Sequence, residues 1–298
     1  MWIQLAICSS LFLACYDIAK KNTVTGNAVL PVLFLSTVFG CLPWAPFLIL
    51  SASPPNWLKA SLWYVPPADL YVHGLILIKA AIVAASWIFA FFSMKHLPLS
   101  IVAPLRASQP VWTLLGAVLL FHEHPSSTQW LGLSVTLGSY VALSRVGNKE
   151  GITFHRNRWV LCILLATLIG AVSALYDKYL LRLYPAALVQ AWFQLYLVVI
   201  LAPITLILWV PHRKQTTPFQ WRWTLPLIGL SLVVADFLYF SALRDPASMI
   251  SIVSTVRRSN VIFSFGIGTI LFKEKNKRWK ALCLAGILAG VIIIVLGR

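Results

Sequence analysis

The sequence predicts an all-α polytopic membrane protein: ten transmembrane helices arranged as two inverted five-helix repeats. Three observations carry this expectation. The 298-residue chain is 59% hydrophobic and only 11% charged, with a mean hydropathy of +0.83, a balance foreign to water-soluble domains. Its apolar residues fall into ten segments, each near the roughly 20 residues a helix needs to cross a bilayer. A polar block inside those segments occurs twice with the same internal spacing.

The segments cover residues 2–20, 28–50, 69–94, 99–121, 128–145, 159–183, 186–210, 223–243, 248–272 and 279–297. They are continuously apolar, not alternating, which excludes a closed barrel. The first has no basic stretch before it and no small-residue cleavage site, so it reads as a membrane helix and not as a removed signal. The candidate linker runs from Arg145 to Arg158, with Gly147-Asn148-Lys149-Glu150-Gly151 at its centre. It divides the chain into a first repeat, 1–147, and a second, 158–298. An odd number of crossings per half turns the second half over relative to the first.

The halves correspond element by element. Tyr16-Asp17 closes segment one, and Tyr176-Asp177 closes segment six. Lys79 lies mid-segment in the third, and Asp236 in the eighth. Segment four carries Arg106-Ala107-Ser108-Gln109 followed by Leu120-Phe121-His122-Glu123. Segment nine carries Arg257-Arg258-Ser259-Asn260 followed by Leu271-Phe272-Lys273-Glu274. The step from the first arginine to the glutamate is 17 residues in both copies. Segments five and ten contain glycines, with Gly286 and Gly290 forming a GxxxG in the tenth. Pro98, Pro104 and Pro110 punctuate segment four, as a static kink or as a gate.

An intramembrane charge is costly and must pair, snorkel or line a wet cavity. Five bases lie within the segments: Lys79, Arg106, Lys178, Arg257 and Arg258. Three acids accompany them: Asp17, Asp177 and Asp236. The interior is therefore cationic, and an anionic ligand would neutralise it. A planar guanidinium fork suits phosphate or carboxylate, because it gives two parallel hydrogen bonds. Adjacent helix residues point about 100° apart, so one of Arg257 and Arg258 meets ligand while the other meets an acid or a helix end. Gln109 and Asn260 follow their arginines by three residues. They share the arginine face, as hydrogen-bonding partners or as interhelical glue.

Blander readings stand beside these. Asp17 precedes Lys20 and Lys21 by three and four residues, so a local salt bridge competes with a site role. Tyr176, Asp177 and Lys178 lie near a helix end, where the lysine can snorkel. Lys79 and Asp236 form a buried structural pair or face the cavity. Trp57, Trp63, Trp130, Trp159, Trp221, Trp223 and Trp279 sit near segment ends and read as an interfacial belt. Trp87, Trp112 and Trp192 lie deeper, where they line a cavity or fill the core. The five cysteines lack metal spacing and read as packing residues. His122-Glu123-His124 is a single tight turn, poor geometry for a metal. No cofactor, metal or catalytic motif is expected, and no basic soluble domain exists to bind nucleic acid.

Ten helices as five plus five, with LF-x-E closing the fourth and ninth segments, resemble the drug/metabolite transporter superfamily of EamA type. The resemblance covers essentially the whole chain. It implies a secondary transporter whose substrate sits near the midplane between the halves. Residues Ser254 to Ile262 are also similar to the penultimate helix of the sugar-phosphate and nucleotide-sugar translocators. There a basic pair holds substrate phosphate; here Arg257-Arg258 falls at that place, whereas Arg106 is followed by Ala107.

The leading expectation is a secondary carrier for a small organic anion, phosphorylated, phosphonate or zwitterionic. Alternatives are an amino-acid or drug exporter of the same fold, and a membrane-embedded lipid-head-group enzyme or assembly partner. Helices three, four, eight and nine are expected to line the central cavity. Fifteen loop Lys and Arg residues fall on one side and four on the other. The positive-inside rule then puts both termini outside, whereas the resemblance implies termini in the cytoplasm. An inner membrane is the expected location, with anionic lipid against the basic loops.

Overall fold

Helical hydrogen bonding dominates the computed structural model, which describes residues 2–109, 111–112, 126–148, 156–244, 253, 257, 260–271 and 276–297. No strand occurs among them, and helical residues occur in every one of the ten predicted segments. Five helices are long and apolar enough to cross a membrane: Val29–Leu50, Leu70–His96, Arg158–Leu183, Ala186–Leu208 and Thr224–Ala242. Both LF-x-E glutamates, His122, His124 and Arg258 lie outside the described residues.

Helix α1 (Trp2–Val24) runs past its predicted end, so Lys20 and Lys21 are helical. It stops before Gly26, whose φ of 67° favours glycine. The second segment is interrupted: α2 (Val29–Cys41) gives way to a 3-10 turn at Leu42–Trp44 and then α3 (Ala45–Leu50). Pro43 and Pro46 cannot donate to the helical ladder, which accounts for the break. After the short α4 (Asn56–Lys59), α5 (Leu70–His96) is capped by Asp69, whose carboxylate accepts from Val72 N at 3.0 Å. Pro98 separates α5 from α6 (Leu99–Ala107). There follow α7 (Ser127–Asn148), α8 (Arg158–Leu183), α9 (Ala186–Leu208), α10 (Thr224–Arg244), α11 (Asn260–Leu271) and α12 (Lys277–Leu296).

Long helix pairs build the bundle. The largest contacts are α1 with α10, α7 with α12, and α5 with α8; α2 lies between α9 and α10. Serines tie these pairs through backbone carbonyls. Ser9 donates to Ala235 O at 2.6 Å across α1 and α10, and Ser86 to Ala166 O at 2.8 Å across α5 and α8. Where aliphatic surface faces lipid, burial gives little drive, so close approach and hydrogen bonds hold the helices. The outward faces carry exposed Leu, Ile and Val, as a lipid-facing surface requires.

Glycines set the closest approaches. The predicted GxxxG of α12 packs inside the molecule, with Gly286 against Ser139 and Gly290 against Thr136 and Gly132 of α7. A Cβ at Gly290 would fall 2.6 Å from the Gly132 carbonyl oxygen. Gly229 of α10 meets α2 in the same way, where a Cβ would lie 2.6 Å from Gly40 N. Gly138, on α7, has nothing within 4 Å. Gly290→Val should therefore separate α7 from α12 and lower stability by about 1–3 kcal/mol. Gly138→Ala should leave it unchanged or raise it. Thermal unfolding of purified protein in detergent checks the contrast, and equal losses at both positions would contradict it.

Candidate functional site

Each acid within the bundle has a basic partner. Lys79 of α5 pairs with Asp177 of α8, and Arg257 pairs with Asp236 of α10. Asp17 of α1 meets Lys20 at 3.5 Å, one turn on in the same helix. Of the two readings for Lys79 and Asp236, a mutual pair is not what forms, since each meets another partner. Helices α5 and α8 lie side by side, and that contact delivers Asp177 to Lys79 before Asp236 can reach it. The local reading of Asp17 and Lys20 holds.

Aromatic rings complete each cation site. The Lys79 ammonium lies 4.5 Å from the Phe193 ring centroid and 5.3 Å from that of Phe240. The Arg257 guanidinium lies 4.1 Å over Tyr239. Lys20 lies 4.4 Å over Tyr16 and 5.0 Å over Phe91. A ring face attracts a cation more strongly where water is excluded. Lys79 is only 2% exposed, so carboxylate and rings together replace its hydration.

Both amides bond across to another helix. Asn260 Nδ2 donates to Asp17 Oδ2 at 2.8 Å, joining α11 to α1. Gln109 Nε2 donates to the Gly170 carbonyl at 2.7 Å, joining the end of α6 to α8. The Tyr176 hydroxyl donates to the Leu75 carbonyl at 3.1 Å.

Arg106, in the last turn of α6, stands apart. It is half-buried, and no acidic side chain among the described residues pairs with it. It lies within electrostatic reach of Tyr16 and Lys20. Asp236 and Arg257 reach both Tyr16 and Asp177. The ionisable groups of α1, α5, α6, α8 and α10 thus form one electrostatic neighbourhood. Arg257 is the member of the adjacent arginine pair that meets an acid; its Nε has no hydrogen-bond partner among the described residues.

Three buried lysines were missed by counting them with the loops. Lys20 and Lys280 are 0% exposed and Lys21 is 8% exposed. Lys21 donates to the Met94 and Leu97 carbonyls at the C-terminal end of α5, both at 2.7 Å, where the helix dipole favours a cation. Lys280 donates to Ser100 Oγ at 2.9 Å.

Bonds between the halves gather at this same end of the bundle. Thr23 and Thr224 hydroxyls meet at 2.6 Å, and Asn27 bonds the Gln220 carbonyl and amide at 2.7 and 2.8 Å. Lys95 donates to Thr217 Oγ1 at 2.7 Å, and Arg222 donates to the Asn22 carbonyl. The opposite end holds an aromatic stack. Trp63 lies parallel to Phe237 at 4.3 Å and to Phe47 at 5.4 Å. Trp63 is exposed along with Trp57, Trp130, Trp221, Trp223 and Trp279, while one face of its ring stacks on Phe237.

A small cavity lies between α1, α2, α5, α9 and α10, lined by Tyr16, Trp87 and Gln194 among others. Of the helices expected to line the centre, three and eight contribute, joined by one, two and seven; the described parts of four and nine do not. Gln194 was missed. Gln190 and Gln194, one turn apart in an apolar helix, were the available signal.

Apolar helices long enough to span a bilayer, with buried ion pairs between them, mark an integral membrane protein. The chain belongs to the EamA-like transporter family, which it matches over residues 1–145 and 157–296. One crystal structure, 15% identical, superposes with a TM-score of 0.59, covering 97% of this chain and 95% of that chain, and so shares the fold. No curated protein matches the chain.

The pairing has a thermodynamic signature. Lys79→Met and Asp177→Leu should each cost about 3–5 kcal/mol, because each strands a buried charge. The double variant should recover most of that loss. Lys79→Met with Asp236→Leu should show no such recovery. Melting temperatures of the four-member cycles check this; coupling of Lys79 to Asp236 instead would contradict the pairing.

Proposed function

We propose that the protein is a secondary-active transporter of a small organic anion, phosphorylated or phosphonate, working by alternating access. The observation that carries this reading is the charge balance of the interior. Asp17, Asp177 and Asp236 are all engaged by cations, and Arg106 has no acidic partner among the described residues. Arg106 is the cation left to receive a ligand. Arg258, in the duplicated block, is its counterpart in the proposal.

Helix pairings support the inverted-repeat architecture and ten spans. Exchanging first with sixth and third with eighth helices turns the α1–α10 contact into the α8–α5 contact. The second and seventh helices face each other, as do the fifth and tenth. Both sets are what a two-fold axis in the membrane plane produces.

The two ends of the bundle support alternating access. One end is held by side-chain hydrogen bonds between halves, the other by stacked rings. The hydrogen-bonded end carries the basic loops, and the positive-inside rule places it in the cytoplasm. We assign this structure to a state closed towards the cytoplasm, in an inner membrane.

A thermal-shift screen tests the substrate class. Organic phosphates should raise the melting temperature of purified protein, and amino acids should not. Ligand at about 100 times Kd stabilises by about 2.7 kcal/mol, which such a screen resolves. Arg106→Gln should abolish the shift, and Arg106→Lys should weaken it, since a point charge does not replace a fork. Stabilisation by amino acids over phosphates would instead support the exporter reading.

A further inference from the structure

Asp17 is held differently from Asp177 and Asp236. Those two each meet a cation in direct contact. The Lys20 ammonium stays 3.5 Å from Asp17 Oδ1, beyond the roughly 2.7–2.9 Å of a charge-assisted hydrogen bond. The tighter partner of Asp17 is neutral: Asn260 Nδ2 donates to Oδ2 at 2.8 Å, and Ser264 adds a longer bond of 3.4 Å. Asn260 is 2% exposed, and its Oδ1 has no hydrogen-bond partner among the described residues. A buried carbonyl oxygen without a donor is unfavourable. Gln194 Nε2 also lacks a partner, but the space it lines holds no carboxylate.

The donor that Asn260 lacks has a source beside it. A carboxylate only accepts hydrogen bonds, whereas a carboxylic acid also gives one. With a proton on Asp17, its O–H donates to Asn260 Oδ1 while Asn260 Nδ2 donates to the other oxygen. Acid and amide then bond reciprocally, and α1 stays joined to α11. Without the proton, Lys20 supplies the counter-charge. Both protonation states of Asp17 therefore have partners in place. No amide hydrogen-bonds Asp177 or Asp236 among the described residues.

The surrounding charges connect this proton to the cargo. Lys21, on the same helix, is spent on the Met94 and Leu97 carbonyls of α5. Lys79 of α5 is held by Asp177, and α2 and α11 carry no charged side chain. Arg106 of α6, Asp236 of α10 and Arg257 lie within electrostatic reach of Tyr16, the neighbour of Asp17. An anion at Arg106 shares this neighbourhood with the Asp17 carboxylate, and the two repel. A proton on Asp17 removes the repulsion and releases the Lys20 charge towards the cargo. Each proton bound also offsets one charge of the cargo, so the interior differs less in charge between empty and loaded states.

We propose that Asp17 and Asn260 form a proton-binding site and that the carrier is a proton–anion symporter, taking a proton onto Asp17 with each anion and releasing both on the far side. The Asp17 carboxylate gains an O–H bond on loading and loses it on unloading; no other covalent bond changes. The proposal rests on the anion reading of Arg106 and adds the coupling ion to it.

The number of protons exchanged on binding tests this. n-Propyl phosphate and n-propylphosphonate are titrated calorimetrically into the purified full chain near neutral pH. Buffers of different ionisation enthalpy then give the protons exchanged, for wild type and Asp17→Asn. Asparagine has the shape of the protonated acid but no proton to exchange, and the probe's own titration is common to both proteins. Wild type should take up about one proton more than Asp17→Asn. As pH rises, its affinity should fall relative to that variant by up to about tenfold per pH unit. Infrared difference spectra should show a protonated carboxyl band that grows on binding and is absent from Asp17→Asn. The band should move to higher frequency in Asn260→Leu, which cannot donate to the acid. Should Asp17→Asn fail to fold, that movement assigns the band. Equal proton exchange in wild type and Asp17→Asn, or no carboxyl band on binding, would overturn the proton site and leave the anion reading standing. Failure of both probes to bind wild type would overturn the anion reading and this inference with it.

Discussion

A charge inside a bilayer must be neutralised locally, and the arrangement of this protein follows from how few acids it has for the purpose. Three carboxylates stand against a larger set of buried cations. Each carboxylate joins structural elements as well as charges: Asp177 joins α8 to α5, Asp236 joins α10 to Arg257, and Asp17 joins α1 to α11 through Asn260. The remaining lysines use backbone carbonyls and hydroxyls, as Lys21 and Lys280 do. What stays without an acid is Arg106, at the point where α6 ends.

The same economy shapes conformational change. Ion pairs sit in the middle of the bundle, where they hold helices together in any state. The two ends are held by weaker and different means. Threonine and asparagine bonds close one end, and Trp63 stacked on Phe237 closes the other. Hydroxyl and amide contacts exchange readily with water, and stacked rings slide with little loss. Under the proposed alternating access, either end would open without stranding a charge.

Much of this was legible in the chain. Helix positions followed from segment length, but the break in segment two at Pro43 and Pro46 was not anticipated, because the whole of 28–50 is apolar. Partners were less legible, because they depend on which helices touch. Lys79 and Asp236 occupy corresponding places in the two halves, yet adjacency of α5 and α8 decides the pairing. Asn260 and Gln109 share a helix face with arginines, yet each bonds across to another helix. Lys20 and Lys21 resembled loop charges because lysines usually end a membrane helix, and here α1 carries them into the interior. Gln194 looked like a minor interruption in an apolar helix, since nothing in a linear chain shows that an amide lacks a partner.

The central claim is that Arg257 is held by an acidic partner, whereas no acidic side chain among the described residues pairs with Arg106. The most direct measurement is the melting temperature of purified Arg106→Gln and Arg257→Gln in buffer free of organic anions, each against wild type. Arg257→Gln should lower it, because Asp236 is left as a lone buried carboxylate. Arg106→Gln should leave it unchanged or raise it, because an unmatched charge has been removed. A loss in Arg106→Gln as large as that in Arg257→Gln would show that Arg106 is a structural partner and not a vacancy for cargo.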